Sequence, residues 1–262
     1  MVDFALTERQ KELKEIALDF AINSVIPRAE ESDLIPEPDK SFDWELVREA
    51  SRLGLRTLSV PKKFGGEGAD VLTLSVVGET IAYGDLGTAV AFDQTWKIMT
   101  ALSHLTNEEQ RKRWLPKVVD DDTCLLAAAA TEPTSGSDTI HPYDAPDGGI
   151  RMTAEKKGDR WILNGTKRYI SNGGLAKVIY VMARTDLSKP SSQSIAGFIL
   201  TSDTTGYSCT EVWDKLGQRT VQNGTLEFSN VEIPEEDVIG TPGNALAEMG
   251  AFLTSFGSNI QA

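Results

Sequence analysis

Arg151-Met-Thr-Ala-Glu-Lys156, Lys157-Gly-Asp159, Arg160-Trp-Ile-Leu163, Asn164-Gly165 and Thr166-Lys-Arg-Tyr-Ile170 follow one another without a break. Alternating or apolar runs separated by turn residues are the pattern of antiparallel strands, and Asn-Gly is the strongest two-residue hairpin signal. The spacing predicts strand, turn, strand, turn, strand. Further along, residues 176–183, 193–200, 207–212 and 225–228 read as additional strands. Together they predict an antiparallel β-barrel or sandwich over residues 123–238.

Upstream the period changes. Leu6, Leu13, Ile16, Ala17, Phe20 and Ala21 recur at three- and four-residue steps, while Glu8, Lys11, Glu12 and Glu15 take the other face. That periodicity predicts an amphipathic helix, capped by Thr7. Pro27 and the Pro36/Pro38 pair are expected to interrupt it, and a second helix spans 41–53 before Gly54. A Gly- and Pro-rich loop at 59–70 precedes a third helix at 71–83, a fourth from Leu86, and a fifth from Thr106. There Thr106 and Glu109 have the spacing of a capping box. The switch from a period near 3.6 to one near 2 at Cys124 divides the chain into an all-helical N-terminal domain, 1–122, and a β-domain, 123–238. Beyond Pro242-Gly243 the pattern is helical again, so 239–262 reads as the opening helix of a third, truncated helical domain. The fold class is α+β.

The 262 residues include 26 Lys+Arg against 39 Asp+Glu, a formal charge of −13. A chain of this length buries a core without disulfide or metal staples. The acidic balance argues against a nucleic-acid partner, whose phosphates need clustered cations. Cys124 and Cys209 form no CxxC unit, and Asp120-Asp-Asp122 points its carboxylates apart, so neither a disulfide framework nor a metal site is expected. No run approaches the ~18 apolar residues of a membrane span, and the charged opening lacks a signal-peptide core. A reducing, cytoplasmic setting is the expectation. His104 and His141 have no acid or nucleophile at useful spacing and receive no role.

Two segments carry chemical possibilities. Ala127-Ala-Ala-Ala-Thr-Glu-Pro-Thr-Ser-Gly-Ser-Asp138 runs from an apolar strand into a loop of small residues with free amides and hydroxyls. Such a loop can wrap a phosphate or a flat polar ring; on residue types alone, a surface loop is the plainer reading. Tyr169-Ile-Ser-Asn-Gly-Gly174 ends a strand with an aromatic and a hydroxyl on one face, which suits a planar heteroaromatic ligand or ordinary core packing.

A resemblance joins them. Thr131-Glu-Pro-Thr-Ser-Gly-Ser-Asp138 resembles the T-E-P-x-x-G-S-D signature of the acyl-CoA dehydrogenase family, and Asn164-Gly-Thr-Lys-Arg-Tyr-Ile-Ser-Asn-Gly173 its N-G-x-K-x-[WYF]-I-[TS]-N-[GA] strand. Residues 110–116, 215–219 and 226–234 with Gly240 are similar to further family segments in the same order. The resemblance implies FAD held against the β-domain. Ala128 to Ala130 would line the ring's edge, Thr131 would hydrogen-bond the ring, and Gly136 with Ser137 would meet the pyrophosphate. Tyr169 and Ile170 would pack by the flavin, Ser171 would bond near N5, and Ser137 would also touch substrate.

The implied reaction is α,β-desaturation of an acyl-CoA thioester, with a glutamate taking the α-proton and FAD the β-hydride. Electrons would pass to electron-transferring flavoprotein or another acceptor, and the complete form would be a homo-oligomer. No catalytic base is identifiable: Ser255 stands at one position where family members carry it, and the base is expected beyond Ala262. Ala128 stands where many members have Phe or Tyr, Phe256 where many have a CoA-side Arg, and residues 138–149 replace a shorter link. Two other readings keep the sequence evidence: a flavin monooxygenase or oxidase of the same fold, and a non-catalytic or half-site subunit or truncated product.

Overall fold

A computed structural model describes residues 5–139 and 148–249. The first helix, α1 (Glu8–Phe20), starts as its sequence dictates: the Thr7 hydroxyl accepts from the Gln10 amide, and the Gln10 side chain accepts from the Thr7 amide. Pro27 does not interrupt the chain's helical course. A π-helical turn, Ala21–Val25, leads directly into α2 (Ile26–Asp33), and Pro27 sits in the first turn of α2. Proline's missing N–H costs least there, and the wider π turn accommodates the ring. After α3 (Trp44–Arg52) come α4 (Val71–Gly84), α5 (Leu86–Leu105) and α6 (Glu108–Asp120). The capping box of α6 lies one residue later than its spacing predicts. Asn107 and Gln110 exchange side-chain and backbone bonds of 2.9 and 3.0 Å, while the Thr106 hydroxyl donates back to the Leu102 carbonyl.

The longest helix, α5, joins two cores. Its Ala89, Phe92 and Trp96 pack with Leu13, Phe20, Leu46 and Ile81 from the other helices. Its Ile98, Met99 and Leu102 pack with Trp114 and with the sheet residues Leu126, Val178 and Ile199. A helix apolar on most sides is one covered on most sides. Buried Arg56 fixes the helix-to-strand junction by donating to the Val118 and Cys124 carbonyls at 2.9 and 3.0 Å.

The β-region is one eight-stranded, mostly antiparallel sheet. Its strands are β1 (Leu126–Ala129), β2 (Thr153–Lys157), β3 (Arg160–Ser171), β4 (Val178–Arg184), β5 (Ile195–Thr201), β6 (Tyr207–Val212), β7 (Asn223–Pro234) and β8 (Val238–Ile239). The order is β6-β7-β3-β2-β4-β5-β8, with β1 parallel to β4. The expected turn at Gly158 connects β2 to β3, its φ at +65°. Asn164-Gly165 is not a turn. One strand runs through it, with a register shift against β7 at that point. Gly165 has φ +146°, and a Cβ there would meet the Met152 Cγ at 2.8 Å, so the pair forms a bulge that lets β2 approach β3. Residues 245–249 are helical, where the third helical unit is expected to open. Ser255, Phe256 and His141 lie outside the described residues.

Candidate functional site

Strand β1 supplies the floor of the site because its side chains are small. Ala127 and Ala129 are buried, while Ala128 and Ala130 stay half-buried beside a cavity of about 150 Å³. The other walls are Ile98, Ala101 and Leu102 from α5 and Tyr180 and Met182 from β4. Gly197 on β5 makes room for the Tyr180 ring, since a Cβ there would fall 2.4 Å from the phenol oxygen.

The loop leaving β1 is clamped from beneath. Glu132 and Lys167, both buried, form an ion pair at 2.8 Å. Lys167 Nζ also donates to the Ala130 carbonyl at 2.9 Å. Glu132 accepts from the Arg151 and Met152 amides at 2.7 and 3.0 Å, so the pair is hydrogen-bonded on both sides. Burial pushes the Lys167 ammonium down to about 8, against the attraction of Glu132. One residue on, the Arg168 amide donates to the Thr131 carbonyl at 2.9 Å. Thr131 is thereby held against the end of β3, and among the described residues its hydroxyl has no hydrogen-bond partner.

The end of β3 is irregular in a way that aims side chains. The register against β7 shifts between Lys167 and Ile170, and Tyr169 adopts φ +60°. A bulge of this kind turns a side chain outward. The Tyr169 ring is 51% exposed, 4.8 Å from the Trp213 ring, with the Arg168 guanidinium over both. Ile170 points into the core, leaving only its backbone for a ligand. Half-buried Ser171 accepts from the Asn223 amide at 3.3 Å, and its own hydroxyl proton has no acceptor among the described residues. Asn223 is held in turn by Lys215 at 2.7 Å. Beyond Ser171, Asn172 (φ +61°) is buried and donates to the Ala91 and Leu126 carbonyls at 2.8 and 3.0 Å, tying the strand end to α5 and β1.

The far half of the loop is exposed and bonded mainly to itself. The Gly136 amide donates to Asp138 at 2.7 Å, and Gly149 donates to the other oxygen at 3.0 Å; these amides hold the Asp138 carboxyl below its usual range. The Gly136 amide, expected to meet a pyrophosphate, is therefore already engaged. Open space stands where its Cβ would be, and Ser137 is exposed beside it.

Thr131 and the end of β3 that carries Tyr169 and Ser171 thus meet through the Arg168–Thr131 backbone bond, with Ala128 and Ala130 at the cavity edge and Gly136 and Ser137 on the outer loop. Sequence reasoning missed Glu132, Lys167 and Asn223, which position that group, and Lys97, which lines the cavity. Alternation was the available signal: Lys167 falls at an even spacing from Trp161 and Leu163, and a lysine on that apolar face requires an acid partner. A flavin fits these residues: Tyr169 offers a half-exposed aromatic side chain, Thr131 a hydroxyl without a partner among the described residues, and Ser171 a hydroxyl proton still free to donate. Among the described residues, no helix is long and apolar enough to cross a membrane.

The family model described as acyl-CoA dehydrogenase, N-terminal domain, matches residues 7–122, and that of the middle domain matches 127–231. A probable medium-chain specific acyl-CoA dehydrogenase 2, mitochondrial, of Caenorhabditis briggsae is 33% identical over 92% of this chain and 57% of its own. The structure of butyryl-CoA dehydrogenase from Megasphaera elsdenii superposes with a TM-score of 0.84 at 30% identity, covering 97% of this chain and 64% of that one. A glutaryl-CoA dehydrogenase from Mycobacterium smegmatis in complex with FADH2 gives 0.78 at 25%, covering 96% and 62%. The chain therefore spans less than two thirds of the length of these relatives.

Proposed function

The chain belongs to the acyl-CoA dehydrogenase family, and from that membership we propose that it forms the flavin- and acyl-binding part of an FAD-dependent oxidoreductase that desaturates an acyl-CoA thioester. The observation that carries this reading is that Ala128 and Ala130 floor an apolar cavity on the strand whose continuation, Thr131, is bonded through its carbonyl to the Arg168 amide of β3, next to Tyr169 and Ser171. Thr131, Gly136, Ser137, Tyr169 and Ser171 would hold the cofactor. When bound, FAD supplies a hydride acceptor.

The chain's own residues do the rest. The alanine floor and the α5 wall take the acyl tail out of water. The half-exposed Tyr169 side chain offers apolar surface at the flavin's side of β3. Ser171, fixed by Asn223, presents a donor where negative charge develops, and Thr131, clamped through Lys167 and Arg168, keeps the ring edge in register. Among the described residues lining the cavity none is a carboxylate, so we assign the α-proton acceptor to sequence beyond Ala262. Electron-transferring flavoprotein or another acceptor, a homo-oligomeric complete form, and a reducing compartment suited to free Cys124 and Cys209 belong to the same proposal.

The test is anaerobic addition of butyryl-CoA to the purified full-length protein. Bleaching of bound flavin at stoichiometric thioester is the expected result. Flavin that stays oxidised with every short acyl-CoA tried overturns the reading. Residues 1–262 alone should retain little FAD, because one wall leaves the ring half exposed.

A further inference from the structure

Ser171 has a neighbour directly across the sheet. In the antiparallel pairing of β3 with β7 it stands opposite Asn223, and cross-strand partners of this kind lie close enough for their side chains to touch. The Asn223 amide nitrogen donates twice, to the Tyr169 carbonyl at 3.0 Å and to the Ser171 oxygen at 3.3 Å. Its amide oxygen accepts from Lys215 Nζ at 2.7 Å. The Lys215 ammonium also donates to the Gln218 and Val221 carbonyls, at 2.7 and 2.6 Å. An ammonium has three donors, so Lys215 is fully engaged, and all three acceptors are neutral oxygens. The β6–β7 connection bends to supply them: Gln218 takes φ +52°, a conformation that residues other than glycine seldom adopt.

These contacts fix a direction. Lys215 only donates and the Tyr169 carbonyl only accepts, so one orientation of the Asn223 amide satisfies both; turned over, its NH2 would face the ammonium and its oxygen the carbonyl. In the satisfied orientation an N–H points at the Ser171 oxygen, which accepts, and the Ser171 proton is directed away from Asn223. The opposite orientation would offer Ser171 an acceptor and draw that proton back into the protein. We propose that Lys215 and Asn223 are positioning residues for flavin reduction: Lys215 sets the facing of the Asn223 amide, and that amide turns the Ser171 proton out to the flavin. A donor aimed beforehand needs no reorientation as negative charge develops, which favours the reduced form over the oxidised one. The inference rests on the reading of Ser171 given above.

The experiment measures the flavin midpoint potential of the FAD-loaded full-length protein by dithionite titration against a reference dye, and its rate of anaerobic reduction by butyryl-CoA. Asn223→Ala and Lys215→Met are each made in the wild-type background and in the Ser171→Ala background. In the wild-type background each should make flavin reduction at least about threefold less favourable, a fall of ~15 mV at about 30 mV per decade for a two-electron couple. The reduction rate should fall with it while KM stays nearly constant. In the Ser171→Ala background Asn223→Ala should leave the potential unmoved, because no proton remains to be aimed, and the effect of Lys215→Met should shrink by at least about half to that of the lost charge alone. If Asn223→Ala does not fold, Asn223→Asp makes the same comparison: it keeps the shape and the bond to Lys215 but offers Ser171 an acceptor, and should lower the potential more with Ser171 present than without it. Equal shifts in both backgrounds, or a lowered melting temperature with an unmoved potential, overturn the positioning role and leave the reading of Ser171 intact. A Ser171→Ala potential equal to that of the wild type overturns both. The potential does not depend on which thioester the protein takes, so flavin that butyryl-CoA fails to bleach while the potentials shift as expected overturns the acyl-CoA reading alone.

Discussion

Two lysine–carboxylate pairs sit in apolar surroundings here, and they are finished differently. Lys167 and Glu132 are sealed at 0% and 4% side-chain exposure, with the lysine also on the Ala130 carbonyl and the glutamate on two amides. Lys97 and Asp93 have one another, with Asp93 Oδ1 unpartnered among the described residues and the Lys97 side chain part of a cavity wall. The first pair is complete and therefore shapes the backbone; the second is satisfied on one side only. Buried polar groups that find every partner rigidify a fold, whereas those that do not mark the places where a fold meets something else.

The largest effect should separate the two lysines. Lys167→Met strands Glu132 in the core and should cost about 3–5 kcal/mol of unfolding free energy, the usual cost of breaking a buried pair from one side. Lys97→Met should cost less, on the order of 1–3 kcal/mol, because Lys97 is part-exposed and the Asp93 carboxyl, already pushed up by burial, can take a proton in place of its partner. Urea denaturation of both variants decides this, and equal losses would break the distinction.

Next in size is Ser171→Ala. With its hydroxyl proton free and its oxygen fixed by Asn223, Ser171 should stabilise the reduced flavin more than the oxidised form. Its loss should slow flavin reduction roughly tenfold, equivalent to about 1.4 kcal/mol, with substrate affinity little changed. Stopped-flow reduction of the full-length variant is the measurement. A wild-type rate with a lowered melting temperature would make Ser171 a structural residue instead.

The smallest effect is a pH dependence at Asp93, whose carboxyl is pushed up by burial against the pull of Lys97. A folded-state pKa above the unfolded one means the folded chain holds the proton longer. The contribution is fully present below about pH 3.9 and is lost as pH rises through the folded value. Asp93→Asn carries no such dependence, so its melting temperature should gain on the wild type as pH rises from about 4 through the folded value. A gap that narrows over that range would show that attraction to Lys97 outweighs burial.

How far the site was legible in the sequence differs residue by residue. Thr131, Tyr169 and Ser171 could be picked out because their motifs are contiguous, and β3 brings them together through the bond from the Arg168 amide to the Thr131 carbonyl. The outward turn of Tyr169 was not legible, since it depends on a bulge against β7, and neither was the engagement of the Gly136 amide by Asp138. Asn164-Gly165 misled for a related reason: the dipeptide tolerates a tight turn and a bulge equally, and pairing with β7 chose between them.

By itself the sequence determined the order of helices and strands, the Thr7 cap, the turn at Gly158 and the acyl-CoA dehydrogenase resemblance. All of these rest on period, caps and contiguous motifs, which act over a few residues. Only the tertiary structure decided that α5 serves two cores, that Lys167 finds Glu132 across 35 positions, and that Lys97 lines a cavity whose wall does not include Asp93. Burial sets the cost of a charge, and burial is a property of the assembled chain, so alternation can flag Lys167 but cannot name its partner.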